Sequence, residues 1–287
     1  MCELCAMVKT VGYTHLWIAL GAMCSAMATL RATAPLSEWS KDHWGIAAAI
    51  GLSTGFIYTV QRMIKWTRMP EHMPRDRGDF IEKWSSWVLV FWCFGMFIWI
   101  WNWGAEIERW TWLMLPLWPI IILVLIMSAG YASNPFSKNS NGWRDIGQFK
   151  LPVIATTWGI ATVWVPGMLS GVDAWDTHLM IRALGQTFFI AGLTIPFDVR
   201  DLKIDPATMK TVPQRIGKSK ASVLALAFLC FGAVLFLIAG NSTARLVALV
   251  CAAPCVIYGR SMREEWLYSL LLDGCLIVQG LVIYFFS

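Results

Sequence analysis

Long apolar stretches recur along this chain, and that recurrence constrains its fold more than any motif does. A segment that crosses a hydrocarbon layer needs roughly 17–25 mostly apolar residues. Nine candidates can be drawn along the 287 residues, near 15–33, 44–62, 84–103, 109–129, 149–169, 178–199, 220–239, 243–259 and 266–286. Inside lipid every backbone N–H and C=O must be satisfied within the protein, which a helix does by itself. The composition agrees, with 57% hydrophobic against 14% charged residues and a mean hydropathy of +0.57, values foreign to a water-soluble domain of this length. The expectation is an all-α polytopic membrane protein of about nine transmembrane helices, forming a single transmembrane domain over 1–287. The first apolar run lacks a cleavage pattern and is followed by Arg31 and further spans, so it is expected to be retained.

Basic residues set the orientation. The 62–83 connection carries Arg62, Lys65, Arg68, Arg75, Arg77 and Lys83, and the 198–220 connection carries Arg200, Lys203, Lys210, Arg215, Lys218 and Lys220. The connections at 130–150 and 259–265 add Lys138, Arg144, Lys150, Arg260 and Arg263, whereas the alternating ones hold only Arg31, Lys41, Arg109 and Arg245 near their ends. Positive residues concentrate on the cytoplasmic side, which puts the N-terminus inside and the C-terminus outside. The setting expected is the inner or plasma membrane of a bacterium. A net charge of +5 then favours anionic membrane lipid as a partner, and no basic–aromatic motif argues for nucleic acid.

Cysteine and tryptophan say less about chemistry. Cys24, Cys93, Cys230, Cys251, Cys255 and Cys275 fall in apolar stretches, where a thiol behaves as a small hydrophobe; Cys2 and Cys5 lack the second ligand pair a zinc site needs. Trp99, Trp101, Trp103, Trp110 and Trp112 bracket an expected short connection between the third and fourth spans, as an interfacial aromatic belt would. A lining for an isoprenoid or quinone-like tail is the other reading of these rings.

The most telling polar feature is Asp198, Asp201 and Asp205, where the apolar run from Ala183 to Phe197 ends. If the helix continues, their spacing puts three carboxylates on one face, where mutual repulsion calls for a cation. That cation is a divalent metal in one reading. In the other it is the neighbouring Arg200, Lys203 and Lys210.

The order Phe197-Asp198-Val199-Arg200-Asp201-Leu202-Lys203-Ile204-Asp205, followed by Lys210-Thr211-Val212-Pro213 and Gly217, resembles the second aspartate-rich region of the UbiA superfamily of intramembrane prenyltransferases. The resemblance covers roughly 196–221 in sequence and the whole chain in expected topology. It implies a UbiA-like helical bundle, a prenyl diphosphate donor, a lipophilic acceptor and Mg²⁺, with Asp198, Asp201 and Asp205 as metal-binding and catalytic residues. Mg²⁺ suits a few carboxylates together with phosphate oxygens and water.

The chain departs from the family pattern at the end of the second span. An Asn-Asp-x-x-Asp-like stretch is expected there, but the residues are Tyr58-Thr59-Val60-Gln61-Arg62-Met63-Ile64-Lys65-Trp66. Asp76 and Asp79 come later, at the wrong spacing. Charge is reversed at this point, so Arg62 and Lys65 either grip diphosphate directly, as guanidinium can, or pair with the acids and close the site. Lys150, or Arg144, and Lys210 are further candidate phosphate contacts. Asp273 lies in the last apolar stretch, where an ionisable group is expensive; Asn102, Gln186 and Gln279 read as partners between helices. The leading expectation is a prenyltransferase with one Mg²⁺ site. The alternative is a catalytically silent UbiA-like lipid- or pigment-binding subunit of a membrane complex, and a transporter ranks last because no paired half-helices recur.

Overall fold

A computed structural model of the chain describes residues 10–68, 75–115, 147–202, 210–240, 244–259 and 268–286, with a few isolated positions between them. The described residues are helical apart from short turns and connections, without strands. The principal helices are α1 (Leu16–Thr33), α2 (Lys41–Arg68), α3 (Arg75–Met114), α4 (Gly147–Gly159), α5 (Val165–Leu169), α6 (Thr177–Asp201), α7 (Val212–Ile216), α8 (Lys218–Ile238), α9 (Ala244–Gly259) and α10 (Gly274–Phe286). A π-helical turn, Ile160–Trp164, joins α4 to α5, and another, Ser269–Asp273, leads into α10. Among the described residues, five segments are long and apolar enough to cross a membrane: Leu16–Thr33, Arg75–Glu108, Lys150–Leu169, Thr177–Asp201 and Lys218–Ile238. Leu249–Gly259 and Leu270–Phe285 are shorter apolar helices.

Helix α1 occupies the centre. Ile18 and Ala22 belong to a core with Leu151, Ala155 and Trp158 of α4, Phe189, Leu193 and Ile195 of α6, Leu229 of α8, Val256 of α9 and Leu276 of α10. Farther along α1, Ala26, Met27 and Leu30 pack with Ile46 and Ala47 of α2. This position explains the composition of α1, because a helix covered on several sides cannot show a polar stripe. Small residues let the neighbours come close. At Gly280 of α10 an added Cβ would meet the Cys24 backbone of α1 at 2.5 Å, and at Gly232 of α8 it would meet the Gly185 carbonyl of α6 at 2.9 Å.

The π-turns are paired with α1 as well. The residue four positions after Thr162 is Pro166, which has no N–H, so the Thr162 carbonyl needs another donor, whereas the Leu270 carbonyl already accepts from the Gly274 N–H and takes a second bond. Trp17 Nε1 donates to the Leu270 carbonyl at 3.1 Å, and Thr29 Oγ1 lies 3.1 Å from the Thr162 carbonyl. One helix thereby serves two irregular turns on different neighbours.

Helix α3 differs from the sequence expectation. It continues unbroken through the connection expected near 103–109, for a length of about 60 Å at 1.5 Å per residue. Its indoles are split: Trp101 and Trp112 are exposed, whereas Trp99 Nε1 donates to the Gly45 carbonyl at 2.7 Å and Trp103 Nε1 to the Lys41 carbonyl at 3.0 Å. Trp99 and Trp103 tie α3 to α2, while Trp101 and Trp112 retain the character of surface anchors. The backbone is helical at Trp110, and the expected fourth span, 109–129, is described continuously only as far as Leu115.

The close approach at Gly280 yields a direct test. Gly280→Val should destabilise the fold by about 1–3 kcal/mol, as overpacking against backbone does. Gly104→Ala, where a Cβ meets nothing within 4 Å, should be neutral or stabilise by up to about 1 kcal/mol through helix propensity. Thermal unfolding in detergent separates the two variants.

Candidate functional site

Three nearly successive side chains leave the beginning of α1 toward three different partners. Tyr13, just before the helix, packs against Phe80 with ring centroids 5.4 Å apart, donates to Asp76 Oδ2 at 3.3 Å and carries the Arg77 guanidinium 5.1 Å above its ring, all on α3. His15 places Nδ1 3.1 Å from Thr59 Oγ1 on α2. Trp17 bonds the turn ahead of α10, as described above.

From α2 the links continue across the bundle. The hydroxyl of Tyr58 accepts from Trp158 Nε1 of α4 at 3.3 Å. Two turns earlier on α4, Lys150 Nζ donates to Asp198 Oδ1 of α6 at 2.5 Å, and both side chains are buried, at 5% and 2% exposure. Arg200, at the end of α6, bonds both oxygens of Asp201 at 2.6 and 3.0 Å. Its guanidinium also lies 5.3 Å from the Phe197 ring centroid and 5.4 Å from that of Tyr268, and Tyr268 donates to the Gly259 carbonyl at the end of α9. The path from Tyr268 to Leu270 and Trp17 returns to α1. Polar and aromatic contacts therefore close a ring at one end of the bundle.

Asp273 follows this ring into the last helix. It ends the π-turn that leads into α10, three residues past the Leu270 carbonyl that Trp17 bonds. Arg62 and Lys65, half-buried near the end of α2, belong to this end, and Arg77 is buried.

The two described aspartates of the triad have different surroundings. Asp198 is held by Lys150 and Asp201 by Arg200. Lys150, expected as a phosphate contact, is therefore bound into an ion pair in this arrangement. Lys210 is exposed, with a left-handed backbone at φ 51°. Asp205 and Lys203 lie outside the described residues, as do Arg144 and Asp145. The Thr-Val-Pro turn has a clear local cause: Gln214 Oε1 accepts from the Thr211 N–H at 2.9 Å, Pro213 fits a helix beginning, and Gly217 takes φ 80° before α8 starts.

The fit of Mg²⁺ follows from these donors. Asp198 accepts from an ammonium, and a guanidinium spans both oxygens of Asp201. Local positive charge already neutralises these acids, and among the described residues no three His, Cys, Asp or Glu side chains gather as a metal set. Both described carboxylates of the triad are thus already engaged by a cation, and the third, Asp205, lies outside the described residues.

The sequence reading did not single out His15 or Tyr268, and it treated Arg77 only as a loop cation. Their role depends on contacts with residues far away in the chain. The available local signal is the adjacency of Tyr13 and His15 to the start of an apolar stretch. Comparison of the chain with protein-family models and with curated proteins gives no match.

The buried ion pair makes a quantitative prediction. Lys150→Met leaves a buried carboxylate without its ammonium and should cost about 3–5 kcal/mol, whereas adding Asp198→Leu should recover most of that loss. Unfolding of the two single variants and the double variant in detergent gives the coupling. Simple addition of the single losses would show that the two charges are not coupled.

Proposed function

We propose that the protein is a UbiA-like intramembrane prenyltransferase that takes a prenyl diphosphate at its basic end and a lipophilic acceptor from the membrane. In this reading the complete chain forms about nine spans, with a cytoplasmic N-terminus and an outside C-terminus in a bacterial inner or plasma membrane. The observation that carries the reading is the set of basic side chains at this end of the helices: Arg77 over the Tyr13 ring, Arg200 against Phe197 and Tyr268, and Arg62 one turn past the Thr59 that bonds His15. Guanidinium groups bond phosphate oxygens in a forked geometry, and a site at the end of an apolar bundle leaves an isoprenoid tail among the helices.

The reaction implied is substitution at the first carbon of the prenyl chain. A nucleophilic atom of the acceptor forms a bond to that carbon, the carbon–oxygen bond to diphosphate breaks, and diphosphate leaves with the electron pair while the acceptor gives up a proton. Arg62, with Lys65 nearby, would bind the leaving group's charge. Lys150 would hold Asp198 in place. The UbiA likeness implies Mg²⁺, but the pairing of Asp198 and Asp201 gives no support for routing the chemistry through that ion.

The second reading is a catalytically silent UbiA-like subunit that binds lipid or pigment in a membrane complex. Its support is specific: Asp198 and Asp201 are already engaged by Lys150 and Arg200. Binding separates the two accounts.

Farnesyl diphosphate should bind the detergent-solubilised protein in calorimetry, with little change when Mg²⁺ is removed. Arg62→Ala should weaken binding by roughly 10- to 150-fold, the equivalent of about 1.5–3 kcal/mol for a charge-assisted contact. Lack of binding by the wild type, with and without Mg²⁺, would overturn the transferase reading and favour the silent subunit.

A further inference from the structure

His15 occupies an unusual position for an ionisable residue. It precedes α1, adopts a left-handed backbone with φ 61° and ψ 12°, and makes its side-chain hydrogen bond to the next helix. A non-glycine residue in this region stores backbone strain and persists when surrounding contacts hold it. Here the contacts are Thr59 and the Tyr58 ring, whose centroid lies 6.2 Å from the imidazole.

The Thr59 bond fixes the proton arrangement. Thr59 Oγ1 lies 2.8 Å from the Gly55 carbonyl and uses its single proton there. Its oxygen must then accept from His15, so the neutral imidazole carries its proton on Nδ1 and keeps a lone pair on Nε2. Among the described residues Nε2 has no hydrogen-bond partner. It is available to bind something else.

Positive groups border this imidazole on two helices. Arg62 follows Thr59 by three residues and Tyr58 by four, which places it on the same side of α2. Arg77 of α3 lies over Tyr13, two residues before His15. Among the described residues, the acidic groups of the region are Asp76 of α3, bonded by Tyr13, and Asp273, which ends the turn ahead of α10. Desolvation in the partly enclosed site, followed by the charges of Arg62 and Arg77, holds His15 well below the usual histidine range. An arriving anion changes that balance.

We propose that His15 is a proton-linked binding residue for the phosphate head of the ligand: binding beside Arg62 and Arg77 draws a proton from solvent onto Nε2, which then donates to a phosphate oxygen. The inference rests on the prenyl-diphosphate reading and adds a pH-sensitive contact to it. The sign is definite. Below the pH at which the complex loses this proton, binding is favoured as solvent protons become more available; above it the imidazole is neutral in both states and the linkage disappears.

Calorimetric titration with farnesyl diphosphate at about pH 7.5, in buffers of low and high ionisation enthalpy, counts the protons exchanged. Wild type should take up roughly half to one proton more than His15→Gln, and the variant should bind about ten-fold or more weakly through loss of a charged contact. Subtracting the variant accounts for the ligand's own ionisation. If His15→Gln does not fold, wild-type affinity between about pH 8.5 and 7 decides the matter: tightening by up to about ten-fold per pH unit supports the linkage, and a flat affinity contradicts it. Binding with the same proton uptake in both proteins overturns the His15 inference alone. No binding by the wild type overturns both this inference and the function on which it rests.

Discussion

Taking a lysine and an aspartate out of water together is the constraint around which this molecule is organised. Neither charge is cheap to bury, and each makes the other tolerable only while α4 and α6 remain in register. Lys150 and Asp198 meet near the N-terminal end of one helix and the C-terminal end of the other. The pair therefore aligns two apolar helices at their polar ends. Arg200 is fixed one short step farther along α6, between a carboxylate and two aromatic rings, so its position also depends on that alignment.

Helix α1 supplies the complementary constraint. Its apolar residues fill two parts of the core, and two of its polar ones, Trp17 and Thr29, bond irregular backbone in neighbouring helices. At Thr162 the bond from α1 replaces a donor that Pro166, four residues on, does not have. The turn before α10 ends at Asp273. Trp17 thus bonds the turn that carries this carboxylate. Packing, backbone irregularity and site electrostatics meet there without a single local motif to announce them.

The apolar pattern makes the helical class legible, since long hydrophobic stretches leave few other ways to satisfy the backbone. It does not reveal the unbroken course of α3: the polar residues around Glu106 and Glu108 resemble a connection, yet helix geometry tolerates them. Nor do the π-turns have a distinctive residue pattern. In the candidate site, the Asp198 and Asp201 spacing and the reversed charge at Arg62 and Lys65 are readable in the chain. The pairing of Lys150 with Asp198 spans 48 positions, and the His15–Thr59 contact spans 44, so no local spacing reports either one. Tyr268 was missed for the same reason.

The central claim concerns a place in the molecule, and a structure determined with a non-hydrolysable farnesyl thiodiphosphate tests that claim most directly. The account predicts that the phosphate head lies within hydrogen-bond reach of Arg62 or Arg77 and beside His15 Nε2, with Lys150 still paired to Asp198. A bound head remote from those three side chains, or one that displaces Lys150 to take Asp198 through a divalent ion, would contradict it.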